Sequence, residues 1–122
     1  MSAERDGAAR VEPDFQVRWL RPGTAVIELF GEHDLSCKET LRDLFSRLVQ
    51  ETELLVVDLS QATFVDSTVL NALVRAQRKA EQRGCRLRLQ LGSAAIVRKV
   101  FEVSGLLDFF DCAPTREQAL KP

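Results

Sequence analysis

Asp66-Ser67-Thr68 sets two hydroxyls behind a carboxylate where an apolar run gives way to helical periodicity. Free N–H groups and the positive end of the helix dipole favour a phosphate ester on a hydroxyl at such a position. The same residue types are ordinary helix N-caps, so the local chemistry leaves capping and phosphorylation both open. Other chemistries lack their groups. His33 is the single histidine, which removes the usual base of a Ser/His/Asp or Cys/His site and any multi-histidine metal site. Cys37, Cys85 and Cys112 are far apart, with no Cys-x-x-Cys pair, so they read as small apolar thiols rather than a zinc site or disulfide framework. No Gly-rich phosphate loop of the G-x-x-x-x-G-K-[ST] or G-x-G-x-x-G kind is present.

Asp58 is the second candidate. It closes the apolar run Leu54-Leu55-Val56-Val57, at the carboxyl end of a strand where open α/β sheets place their sites. A phospho-Asp receiver domain carries such a carboxylate, but it also needs an acidic pair after its first strand and a lysine after its last. Neither is found, so Asp58 reads as a strand-end cap. Arg75, Arg78, Lys79, Arg83, Arg86 and Arg88 concentrate positive charge that either meets an acidic partner surface or is simply a solvated face. The chain as a whole is not basic: 17 Lys+Arg stand against 18 Asp+Glu, a net charge of −1, which argues against nucleic-acid or membrane binding. Its 122 residues suit one domain. With no apolar leader and no apolar stretch of the roughly 18–20 residues that cross a bilayer, a cytoplasmic protein is expected.

The elements that must position these residues follow from periodicity. Residues 1–13 are polar and aperiodic, and read as a flexible tail ahead of a domain over 14–122. Phe15, Val17 and Trp19 alternate with polar residues, Arg21-Pro22-Gly23-Thr24 supplies a turn, and a second alternating strand follows. Ser36-Cys37-Lys38-Glu39 has capping-box spacing before the helical stripe Leu41, Leu44, Phe45, Leu48, Val49. The run from Leu54 predicts a central strand, and Val69, Ala72, Leu73, Ala76 and Ala80 predict a helix ending near Gly84. Arg86 to Leu91 alternates strictly, which predicts a strand with one wet face. Ser93 caps a third helix, Leu106 to Phe110 is a short apolar strand, and a Thr115-x-x-Gln118 box starts a last helix. The order β-β-α-β-α-β-α-β-α implies an α/β fold with a mixed, largely parallel sheet.

On these residues the chain resembles a known family. Phe64-Val65-Asp66-Ser67-Thr68-Val69-Leu70 is similar to the phospho-acceptor motif of STAS-domain anti-sigma factor antagonists, Asp-Ser-Ser/Thr-Gly-Leu after the central strand, with Val69 in place of the glycine. Gly31-Glu32-His33-Asp34 before a Leu-rich helix is similar to the family's Gly-Glu-Leu-Asp segment. Val103-Ser104-Gly105-Leu106 and Glu117-Gln118-Ala119-Leu120 are similar to its C-terminal region. The likeness runs from Asp14 to Leu120. It implies a STAS fold with helices packed mainly on one face, and a phospho-switch that is not an enzyme and carries no catalytic residue, metal or cofactor. The unphosphorylated form would bind an anti-sigma factor serine kinase and release the sigma factor. That kinase would then phosphorylate Ser67, or less readily Thr68, and a metal-dependent serine phosphatase would reverse the modification. Carried over by position, Asp34, Asp66, Ser67, Thr68 and Val69 form the docking surface. The second reading within the fold is a STAS subunit bound constitutively to an ABC-transporter ATPase.

Overall fold

The computed structural model describes residues 8–12, 15–33, 38–65, 67–92 and 95–121. Strand β1 (Ala8–Glu12) pairs antiparallel with β2 (Phe15–Arg21), which turns at Gly23 into the antiparallel β3 (Thr24–His33). Gly23 sits at φ +83°, a conformation that costs glycine little. Then follow α1 (Lys38–Glu51), β4 (Leu54–Val65), α2 (Ser67–Arg83), β5 (Arg86–Gln90), α3 (Ala95–Ser104), β6 (Asp111–Ala113) and the one-turn α4 (Arg116–Ala119). Strands lie in the sheet in chain order, and the three pairings from β3 to β6 are parallel. The expected mixed, largely parallel sheet is therefore present.

It has one strand more than expected, because Ala8–Glu12 falls inside the segment read as a tail. The other edge of β2 offers unpaired N–H and C=O groups, and these accept a partner strand whatever the polarity of its side chains. The last strand also moves. Residues 106–110 form a turn closed by Phe109 N–H and Phe110 N–H to the Leu106 carbonyl, and the strand is Asp111–Ala113. The apolar run there serves the core as a turn, with Phe110 buried against Phe101 edge to face at 5.9 Å.

Sidedness follows the period of two. Ala25, Ile27 and Leu29 of β3, Leu55, Val57 and Leu59 of β4, and Leu87 and Leu89 of β5 all point to one face. That face is covered by Leu41, Leu44, Phe45, Leu48 and Val49 of α1, by the α2 stripe, and by Val97 and Phe101 of α3. Each fully buried large side chain stabilises by roughly 1.5–3 kcal/mol. On the opposite face Val26, Leu54, Val56 and Ala113 meet only Ala119 and Leu120 at α4. Helices thus lie mainly on one face, as expected. The alternating Arg86–Gln90 strand is wet on its polar face only at Arg86, because α4 covers the rest: Arg88 is half-buried and Gln90 is buried. No helix among the described residues is long and apolar enough to cross a membrane.

Candidate functional site

β3 and β4 end side by side, His33 paired with Val65, and α2 begins two residues later at Ser67. The hydroxyl motif therefore sits at the carboxyl edge of the parallel strands, where crossover connections leave room for a site. Ser67 is exposed and Thr68 half-buried. The first turn of α2 holds no acidic residue, and the partial positive charge of a helix N-terminus favours an anion placed on Ser67. Asp34 and Asp66 lie outside the described residues. Val69 corrects the expected docking surface, since its side chain is fully buried in the core. Helical period decides this: Val69 shares a stripe with Leu73, Ala76 and Ala80, all against α1 and the sheet.

The stripe next to it faces a cleft between α1 and α2. The two helices meet in a constant register, so that Ser46 faces Lys79 and Gln50 faces Arg83. One turn nearer the motif, Arg42 and Arg75 line the cleft together with Thr68, Asn71 and Ala72. Further along it widens to about 230 Å³ over Phe45, Ala72 and Ala76. Thr68, Asn71, Ala72 and Arg75 follow the spacing i, i+3, i+4, i+7, which places them along one side of α2. Arg42 stands on the polar side of the α1 stripe, and nothing local to it in the sequence signals the cleft.

Asp58 belongs to a different site. β4 runs on for seven residues beyond it, so it is not at the strand end, and its side chain faces α4. There Arg116 donates to Asp58 Oδ2 at 2.6 Å, to Glu28 Oε2 at 2.8 Å and to Gln90 Oε1 at 2.8 Å. Ser60 donates its backbone N–H and its hydroxyl to Asp58 Oδ1, at 2.8 and 2.6 Å, and Gln16 donates to Glu28 at 3.1 Å. Burial alone would lower the Arg116 pKa, but hydrogen bonds to Glu28 and Asp58 and the charges of both carboxylates reverse it and hold the guanidinium above its ordinary value. With its side chain only 4% exposed and both oxygens engaged, Asp58 offers no path to an incoming phosphoryl group. The receiver-like reading is set aside on this geometry. Arg116, the centre of the network, was missed because nothing in a Thr-Arg-Glu-Gln sequence points to partners 58 and 88 residues away.

Among the described residues no three His, Cys, Asp or Glu side chains gather as metal ligands. Cys85 is buried and Cys112 half-buried, and both are free thiols. Burial, then the charge of Asp111, push the Cys112 thiol above its usual value, against a smaller pull from Arg98.

The STAS domain family model matches residues 20–119. The chain belongs to the STAS domain family, and within it groups with anti-sigma factor antagonists. The structure of the anti-sigma factor antagonist SpoIIAA in its unphosphorylated form is 30% identical, with a TM-score of 0.74 over 87% of this chain and 92% of that one. The Bacillus cell fate determinant SpoIIAA in its phosphorylated form is 30% identical, with a TM-score of 0.69 over 87% and 96%. An anti-sigma factor antagonist from Mycobacterium paratuberculosis is 25% identical, with a TM-score of 0.71 over 97% and 95%. No curated protein matches the sequence.

Proposed function

We propose that this protein is a cytoplasmic anti-sigma factor antagonist that works by partner switching, with Ser67 as its phospho-acceptor. The observation that carries the reading is the placement of Ser67, exposed at the first position of a 17-residue helix at the carboxyl edge of β4, in a chain 30% identical to a SpoIIAA whose phosphorylated form is known. In this reading the unphosphorylated surface around Ser67, Thr68, Asp66 and Asp34 binds an anti-sigma factor that is also a serine kinase. Ser67 Oγ then forms a bond to the γ-phosphorus of the kinase's ATP, ADP leaves, and the hydroxyl proton passes to the kinase or to water. A metal-dependent serine phosphatase hydrolyses the ester. Catalytic groups belong to the partners, and this chain supplies the hydroxyl and the docking surface.

Charge alone suffices for the switch. A phosphate brings about −1.5 to −2 charges into the contact. An unpaired buried charge costs roughly 3–5 kcal/mol, a loss of affinity on the order of 10²–10³-fold or more.

The test is a capture from host lysate with wild type, Ser67→Asp and Ser67→Ala as baits, followed by phosphorylation of each by the captured kinase with ATP. Wild type and Ser67→Ala are expected to retain an anti-sigma factor kinase, Ser67→Asp to lose it, and only wild type to gain phosphate at residue 67. Equal capture by all three baits, or capture of a transporter ATPase regardless of residue 67, overturns the reading. Phosphate found on Thr68 with Ser67 intact moves the acceptor by one residue and overturns the assignment to Ser67.

A further inference from the structure

The fold sorts the cluster of positive charge between Arg75 and Arg88 into cations with internal partners and cations without. Lys79 donates to Ser46 Oγ at 2.5 Å, and Arg83 donates to the Gln50 carbonyl at 2.8 Å. Arg88 pairs with Asp111 at 2.8 Å and, with Arg86, donates to carbonyls at the end of α4. Arg75 and Arg78 have no hydrogen bond or ion pair with any described residue, and the same holds for Arg42, which lines the cleft beside Arg75. All three are exposed. The unpartnered cations form a stripe that starts beside Thr68 and continues down α2 past Asn71 and Val74 to Gln82. At 1.5 Å per residue, Gln82 lies about 22 Å from Ser67 along the helix. Asp43 is the one acidic residue that lines it.

We infer that this stripe is the second half of the docking surface and receives an acidic segment of the protein that engages Ser67. The inference rests on the partner-switching reading above. Three observations argue for a carboxylate-bearing peptide. In a chain of net charge −1, Arg42, Arg75 and Arg78 make no ion pair among the described residues, and with Asp43 as the one acid in the cleft lining the stripe keeps a net positive charge that an outside acid can meet. Guanidinium forks take carboxylates in pairs, and 75 and 78 lie on adjacent turns of one helix, which matches side chains spaced along a peptide rather than one small anion. The small residues Ala72 and Ala76 lower the cleft floor between the cations, so an incoming chain can lie close to both helices. The stripe also gives the switch a second lever. A phosphate on Ser67 adds its negative charge at the head of the stripe and so weakens the pull of the stripe on the acidic segment.

The first test titrates the full chain with a short poly-glutamate peptide and follows backbone amides by NMR. Shifts are expected to cluster on Arg42, Ser46, Asn71, Arg75 and Arg78, to weaken with added salt, and to need at least about tenfold more peptide in Arg75→Glu/Arg78→Glu. Shifts spread over the whole surface, shifts unchanged by the charge reversal, or a stronger response to inorganic phosphate or to an oligonucleotide overturn the inference. The second test compares phosphorylation of Ser67 in wild type and in Arg75→Glu/Arg78→Glu by the captured kinase. A KM raised at least about tenfold with kcat retained supports the inference. Equal efficiency in both removes the stripe and leaves the switch at Ser67 standing. If wild type takes no phosphate at Ser67 while the peptide still maps to the stripe, the switch falls and the acid-binding surface remains.

Discussion

Arg116 and Arg75 both stand on helices that cover the same sheet, yet one is tied to three acceptor atoms and the other faces water. On the α4 side, charge is spent within the molecule: Glu28, Asp58 and Gln90 from three neighbouring strands converge on a single guanidinium. On the α1–α2 side the sheet face is wholly apolar, the helices meet through Leu, Phe and Ala, and cations are left on the outside. The difference teaches where each kind of burial is useful. An apolar layer can be covered by long helices whose outer faces stay available to partners. A four-residue helix has too little apolar area to hold itself down, and an ion network on the α4 side offsets that deficit.

Breaking the network should give the largest effect. Arg116→Met keeps much of the stem's volume but leaves Asp58, with its side chain 4% exposed, without a cation, while Glu28 keeps Arg18 at 3.7 Å. A loss of roughly 3 kcal/mol is expected in chemical denaturation, because removing one partner of a buried pair strands the other charge. A loss below about 1 kcal/mol would mean that Ala119 and Leu120 hold α4 without the network. On the apolar side, Val69→Gly restores the family's residue, yet it empties a filled core position. A loss of about 2–3 kcal/mol is expected by thermal or chemical melting, and a gain would show that the α2 stripe is strained by valine. Gly92→Ala touches the joint between the two sides. Gly92 has φ +66°, and an added Cβ would lie 2.6 Å from Cβ of Ser60, the residue that anchors Asp58. About 2 kcal/mol should be lost from left-handed strain and that contact, and an unchanged melting curve would contradict the close approach. The smallest effect is at β6. Its raised pKa should make Cys112 alkylate more slowly in the folded protein than in urea at the same mildly alkaline pH, followed peptide by peptide in a mass spectrometer. The sign is fixed by linkage: a thiol whose folded pKa is raised contributes stability below its unfolded value, about 8.5, and that contribution is lost as pH climbs through the folded value. Equal alkylation rates would place Cys112 in water.

Much of this arrangement was legible from residue types alone. The stripes Leu41 to Val49 and Val69 to Ala80 are buried as their spacing requires, and α2 stops before Gly84 at φ +77°. Thr115 caps α4 by accepting from Gln118 N–H, as the spacing of those two residues predicts. Of the other cap candidates, Ser67 is the first residue of α2, and Ser36, Asp66 and Ser93 lie outside the described residues. What stayed hidden involves residues far apart in the chain. Asp58 looked like a strand end because its polarity interrupts an apolar run, whereas β4 continues through it and lets the α4 side accept a carboxylate where Arg116 waits. The strand at Ala8–Glu12 was invisible because its pairing is made by backbone groups that every residue carries.

Periodicity is a local property, so the sequence by itself determined the elements, their buried faces, the order that forces a largely parallel sheet, and the hydroxyl motif at the head of α2. Which charges are consumed and which remain available was decided only by tertiary structure. A guanidinium finds its carboxylate through space, and a register between two helices 33 residues apart puts Lys79 on Ser46 and Arg83 on the Gln50 carbonyl while leaving Arg42 and Arg75 to face a cleft. Coulomb interactions depend on those distances and on burial, and neither is written in the spacing of residues along the chain.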